Sequence, residues 1–304
     1  MAYLFRIGLA VFFCALSVHG QTAEKSQHPY ELMICDYVKF QLYKMDKAGE
    51  ITWKHQPESK VWDFVLTKEN HIVFPIITKH FEVRCMDFEK KIQWSWSYRK
   101  DYREIINITQ SKSGLIISGQ KPSDAIVMDV SGKILRKIDI PTNFNSQHGE
   151  MGNVYALKDD HYLVQLWGEG SVIEVDKDGK EVWRYKVPKF GKGRYPVGCV
   201  QDVLRLKNGN TMIACGTQAR ILEVDKNKKI AWQFNKDDHP ELNFTNACGL
   251  QLLKDGSILV TNFIRGKTGK GAHAFILSKD RKITWTLTDH KHISAASRVF
   301  AIEK

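Results

Sequence analysis

The chain has 304 residues, and 45 Lys and Arg against 34 Asp and Glu give it a formal net charge of +11. With 43% hydrophobic and 26% charged residues it has the composition of a folded globular protein, which excludes a disordered or fibrous chain. The first element in the chain is one to set aside. Arg6 precedes an almost unbroken apolar run from Ile7 to Val18, and residues 1–20 read as a secretory signal peptide. The expectation is therefore a secreted or periplasmic protein. The run is shorter than the ~20 residues a bilayer needs, and no second candidate follows, so no transmembrane anchor is expected. Removing this segment takes away one Arg and no acid, which leaves 284 residues at +10. Cys35, Cys85, Cys199, Cys215 and Cys248 remain. They are widely spaced with no C-x-x-C pair, which excludes a disulfide-stapled miniprotein and a conventional zinc site. Buried small apolar residues are the expectation, with room for one disulfide.

Next come Glu31–Cys35, Val38–Met45 and Gly49–Lys54, three short β-rich runs separated by turns. The turn before the last run and the run itself carry the first copy of a repeated frame, Asp46-Lys-Ala-Gly49-Glu-Ile-Thr-Trp53. It returns as Asp87…Trp94, Asp129…Arg136, Asp176-Lys-Asp-Gly179-Lys-Glu-Val-Trp183, Asp225…Trp232 and Ser278…Trp285. Successive frames begin 41, 42, 47, 49 and 53 residues apart, the length of a four-stranded propeller blade. Within one unit a strand ending in an aliphatic residue (Val203–Leu206) leads through a polar turn (Lys207-Asn-Gly-Asn210) to an apolar strand (Thr211–Cys215). An alternating strand (Ala219–Val224) follows, then the Asp-x-x-Gly turn and the Trp strand. Glycine in these turns supplies the positive φ of a tight hairpin. No stretch has sustained 3.6-residue periodicity, so helices should be scarce.

The last run, His290–Ile302, reads as one innermost strand that joins the three N-terminal strands. Residues 21–304 are thus expected to form a single all-β domain, a six-bladed β-propeller of four-stranded antiparallel blades closed by both termini. The segment ending Asp176-Lys-Asp-Gly-Lys-Glu-Val-Trp183 is similar to the repeat of quinoprotein (PQQ-like) β-propellers and of arylsulfotransferase-like secreted propellers. The resemblance runs through the whole chain after residue 20 and implies the architecture. Quinoprotein dehydrogenases have more blades and a metal-binding segment that this chain lacks, so no quinone or other cofactor is expected. The repeated Trp is expected to pack between neighbouring blades.

Propeller topology places the turns between the first and second, and third and fourth, strands on one face. Their many lysines, mixed with acids, are ordinary solvated residues there. The opposite face receives the long loops Val187–Pro196 and Phe263–Gly271, joined by Tyr98-Arg99-Lys100, all basic and aromatic. Lys192, Arg194 and Tyr195 suit an anionic sugar, by charge and by stacking on apolar ring faces. Aligning the innermost strands on Leu66, Ile108, Leu157, Leu206, Leu253 and Ile302 brings Arg103, His148, Glu150, Asn153, Gln201, Asp202, Asn246 and Arg298 to the channel mouth on that face. Trp167, after a second strand, reaches the same rim. His148 with Glu150 or Asp202 can do acid–base work, and Arg103 or Arg298 can neutralise a carboxylate or sulfate.

Asp289-His-Lys-His292 is too sparse for a metal, and no metal site is expected. No G-x-S-x-G nucleophile elbow occurs, and Asn107 and Asn243 begin glycosylation sequons. The expected function is binding of an extracellular anionic ligand, an acidic polysaccharide above all, by a monomer. The alternatives are a lyase or sulfate-ester-processing enzyme at the same site, and a protein-interaction scaffold. Nucleic acid is disfavoured by export and by charge scattered over turns.

Overall fold

The computed structural model describes residues 28–77, 81–98, 104–120, 123–143, 151–190, 200–264 and 269–303. Twenty-four strands form six antiparallel sheets of four. Blade 1 consists of β4 (Val65–Leu66), β5 (Ile72–Ile77), β6 (Phe81–Met86) and β7 (Ile92–Tyr98). Blades 2 to 5 follow in chain order and begin with the inner strands β8 (Glu104–Gln110), β12 (Val154–Ala156), β16 (Asp202–Arg205) and β20 (Ala247–Leu252). Blade 6 is assembled from both ends of the described chain. β24 (Ala296–Ile302) pairs with β1 (Glu31–Asp36), which pairs with β2 (Gln41–Met45) and then β3 (Ile51–His55). The β24–β1 register runs from Glu31 opposite Ile302 to Cys35 opposite Arg298. Two 3-10 turns, Lys236–Asp238 and Pro240–Leu242, are the helical elements among the described residues.

The repeated frame is a local hairpin device. In the first five copies the leading Asp accepts the N–H four residues on through Oδ1, as Asp46 does from Glu50 and Asp176 from Lys180; Ser278 Oγ does the same for Lys282. The fourth position has positive φ in every copy, at Gly49, Gly132 and Gly179 and also at Lys90, Lys228 and Arg281. A one-residue register shift follows at the same place in all six blades, the bulge that such a turn produces. The Trp at the eighth position then reaches the next blade. Trp53 Nε1 donates to Phe88 O at 2.6 Å and Trp94 Nε1 to Val130 O at 2.8 Å. In later blades an arginine from the neighbour lies over the ring instead, Arg205 on Trp183 and Arg281 on Trp232.

Six apolar clusters fill the gaps between adjacent blades, one for each interface. The cluster that joins blade 6 to blade 1 contains Met33, Cys35 and Leu42 with Phe64, Phe74 and Met86, so the ring is closed by buried side chains. Cys35, Cys85, Cys215 and Cys248 are buried.

Two strands are shorter than expected. The third strand of blade 6 starts at Gln41 and not Val38, because Asp36 Oδ1 accepts the N–H groups of Val38 and Lys39 and Phe40 has φ +54°. The final strand starts at Ala296 and not His290, because Asp289 Oδ1 caps a turn by accepting from Lys291 and His292. That capping also occupies the Asp289–His292 segment, where Asp289 Oδ2 pairs with His292 Nδ1 at 2.6 Å. Among the described residues no three ligating side chains converge on a point. No helix among them is long and apolar enough to cross a membrane.

Candidate ligand site at the channel mouth

The inner strands enter from the loop-rich face, so the residues at their starts surround the axis there. Trp62, Asn153, Asp202, Gly249 and Arg298 each stand four residues before the aligned aliphatics Leu66, Leu157, Leu206, Leu253 and Ile302. Five blades thus present one layer. Its hub is Asp202, fully buried, whose carboxylate accepts five hydrogen bonds. Oδ1 takes the Tyr155 hydroxyl at 2.5 Å, Asn153 Nδ2 at 3.1 Å and its own neighbour's N–H, that of Val203, at 2.9 Å. Oδ2 takes Leu250 N–H at 2.7 Å and Arg298 Nη1 at 2.9 Å. Blades 3, 4, 5 and 6 are tied together through this single carboxylate.

Gly249 makes the link from blade 6 to blade 4 possible. A Cβ there would lie 3.2 Å from Arg298 Nη1 and 2.9 Å from Thr261 Oγ1. With hydrogen in its place, the Arg298 side chain passes over blade 5 and meets Asp202 of blade 4. On its other side the guanidinium faces Asp63, with Nε 3.5 Å from Oδ1. That separation is an ion pair without a hydrogen bond, and Nε has no hydrogen-bond partner although it is buried. Asp63 Oδ1 accepts from Phe64 N–H at 2.8 Å instead.

The electrostatics of the cluster are lopsided. Burial pushes the Asp63 carboxyl up to about 6, against the pull of Arg298 and with a further push from Asp202. Burial works against the Arg298 charge as well, but Asp63, Tyr155 and Asp202 together hold the guanidinium above its ordinary range. Burial, and then the Asp202 charge, raises the Tyr155 hydroxyl well above the usual phenol value. Burial raises the Cys248 thiol too, so it is no nucleophile at neutral pH.

An aromatic wall stands beside the cluster. Tyr37, Trp62 and Phe263 meet edge to face, with ring centroids 5.2 to 5.8 Å apart. They pack on Cys248 and Ala295. Ser297 Oγ donates to Trp62 O at 2.7 Å, which fixes the wall to the inner strand of blade 6. Trp62 and Tyr37 are half-buried, so part of each remains at the surface. The exposed Lys60 places Nζ 5.6 Å from the Tyr37 centroid and 5.8 Å from that of Phe40. Across the rim Arg220 lies 4.1 Å from the Phe190 ring centroid.

Of the residues that the sequence singled out, the structure brings Asp202 and Arg298 into direct contact. Asn246 lies at the adjoining rim, where its N–H donates to Asn262 Oδ1; its own buried Oδ1 has no partner, and neither has that of the nearby side chain, Gln218 Oε1. Trp167 sits at the turn after the second strand of blade 3, and Gln201 pairs its N–H with Ala214 O. His148, Glu150, Arg103, Lys192, Arg194 and Tyr195 lie outside the described residues. Asp63, Tyr155, Trp62 and Tyr37 were missed. The common spacing before the aligned aliphatics reveals Trp62, and Asp63 is its neighbour. Of the sequons, Asn107 is buried and so is Thr109, whose hydroxyl donates to Val154 O.

These features define a six-bladed β-propeller with an ionisable cluster and an aromatic wall at one end of its channel. The chain belongs to the Mal s 1 allergenic protein-like family, whose model matches residues 43–264. None of the curated proteins matches it. Among solved structures it is similar to a protein of unknown function from Bacteroides caccae, with a TM-score of 0.77 and 18% identity over 91% of this chain and 100% of that one. It is also similar to virginiamycin B lyase from Staphylococcus aureus solved with quinupristin, with a TM-score of 0.59 and 12% identity over 88% of this chain and 86% of the lyase. At these identities the likeness is one of fold.

Proposed function

We propose that this is an exported binding protein that holds an acidic saccharide at the channel mouth. One observation carries the reading: Arg298, a half-buried cation with an unfilled donor, stands in the same layer as Trp62, whose half-buried ring packs on that of Tyr37. A sugar ring offers an apolar face for stacking, hydroxyls for amide oxygens such as Asn246 Oδ1, and a carboxylate or sulfate for a guanidinium. Lys60 at the rim and the net positive chain add long-range attraction. The protein should be retained on immobilised sulfated or uronate glycan and released as salt rises. Trp62→Ala and Lys60→Ala should each weaken retention. Equal elution from acidic and neutral glycans refutes the reading.

A second reading, an enzyme acting on such a saccharide, is favoured by Asp63, a carboxyl held near 6 and therefore able to give or take a proton at neutral pH. It requires product formation from an acidic oligosaccharide that Asp63→Asn or His148→Ala abolishes while the fold persists.

A further inference from the structure

The donors of Arg298 are unevenly used. Nη1 is committed to Asp202 at 2.9 Å, whereas Nε has an ion-pair neighbour in Asp63 but no hydrogen bond. No hydrogen bond is formed by Nη2 among the described residues. Nε is covered and fronted by a carboxylate too far away to bond, whereas Nη2 is not covered, so an incoming anion meets the guanidinium at Nη2.

We propose that Arg298 is an anion receptor on the channel floor that accepts a carboxylate or sulfate group only when Asp63 carries a proton. This rests on the saccharide-binding reading and adds a condition to it. With Asp63 ionised, the floor holds two carboxylates against one guanidinium, and an incoming anion meets net negative charge in a desolvated place. With Asp63 protonated, Asp202 and Arg298 balance, and the incoming anion becomes the second counter-charge of Arg298. The neutral carboxyl also gains an O–H that can donate to the same anion. Binding is therefore coupled to uptake of one proton at Asp63, with no bond made or broken elsewhere.

The ionisable groups around Asp63 leave it as the group that switches. Arg298 on β24 is held charged, and Tyr155 on β12 is held neutral. Asp202 on β16 is the acceptor for five donors. Cys248 on β20 and Cys35 on β1 are buried thiols with raised values, that of Cys35 pushed up to about 12. Burial sets Asp63 near 6, within the range where pH varies outside cells and in acidic compartments.

The test is calorimetry with a sulfated oligosaccharide, whose charge is constant between pH 5 and 8, alongside a uronate oligosaccharide and a neutral one. For both acidic ligands the apparent Kd should rise about tenfold per pH unit above 6, because only the protonated fraction binds. Titrations at pH 7 in buffers of different ionisation enthalpy should show uptake of about one proton per ligand. Asp63→Asn should bind at pH 7.5 as tightly as the wild type does at pH 5 and take up no proton. Binding that is equal at pH 5 and 7.5, or a pH slope retained in Asp63→Asn, overturns the gate and leaves the saccharide reading standing. Failure of both acidic ligands to bind at either pH overturns both. Proton uptake is measured on the wild type, so the proposal stays testable even if the variant folds poorly.

Discussion

Replacing Asp202 by Asn tests whether one carboxylate ties the blades together at the axis. The side chain keeps its shape but exchanges one acceptor oxygen for an NH2 donor. If that NH2 takes the place of Oδ2, it confronts Leu250 N–H and Arg298 Nη1; if it takes the place of Oδ1, it confronts the Tyr155 hydroxyl, Asn153 Nδ2 and Val203 N–H. Each buried donor left without an acceptor costs about 1–3 kcal/mol, and removing one member of a buried ion pair costs about 3–5 kcal/mol. The two descriptions overlap, and Asp63 remains as a counter-charge for Arg298, so a loss of about 3 kcal/mol is expected. In a chain of this size that lowers Tm by roughly 6–12 °C. Urea and thermal unfolding at pH 7.5 read it directly. The double variant Asp202→Asn, Arg298→Met should lose less than the sum of the two single changes. If Asp202→Asn melts within about 2 °C of the wild type, the network is not what joins blades 3 to 6 and the reasoning fails.

The contribution of Asp63 to stability should fall as pH rises from about 4 to about 6. The native state keeps a proton on Asp63 to about 6, whereas the unfolded chain gives it up near 4, so the penalty is absent below this window and complete above it. The difference amounts to about 3 kcal/mol and is read as a pH-dependent gap between wild type and Asp63→Asn in urea unfolding. Gly249→Ala should push Arg298 off Asp202, cost about 1–3 kcal/mol by overpacking, and weaken binding of acidic glycans; unchanged binding argues against the path over blade 5. Gly209→Ala and Gly179→Ala form a matched pair, since both positions have φ above +80° but only Gly179 is crowded, with a Cβ site 2.3 Å from Asp139 O. The first should cost about 1–2 kcal/mol and the second at least about 1 kcal/mol more, and equal urea midpoints would show that the inter-blade contact carries no weight.

What could be read from the sequence here follows the range of the interactions involved. The Asp-x-x-Gly frame is closed by bonds between residues at most four apart, as from Glu50 N–H to Asp46 Oδ1, so each copy declares its hairpin wherever it stands in the chain. Six such hairpins at blade spacing, with one incomplete unit at each end, determine the ring and the pairing of Glu31–Asp36 with Ala296–Ile302. Turns that depend on a side-chain cap were harder to read. Asp36 and Asp289 shorten the strands next to them in ways that apolar patterning does not record.

The mouth lies beyond that range. Asp202 and Arg298 are 96 positions apart and meet only because inner strands from different blades converge on one axis. Glycine at 249 marks nothing by itself and becomes an opening only when an arginine from the next blade crosses it. Asp63 looks like any loop acid in the sequence, and its proton affinity comes from burial against two neighbours that the chain supplies from its far side. Local hydrogen bonding settles how each blade is built; the angle between blades, fixed by side chains packed in the gaps, decides which charges face each other.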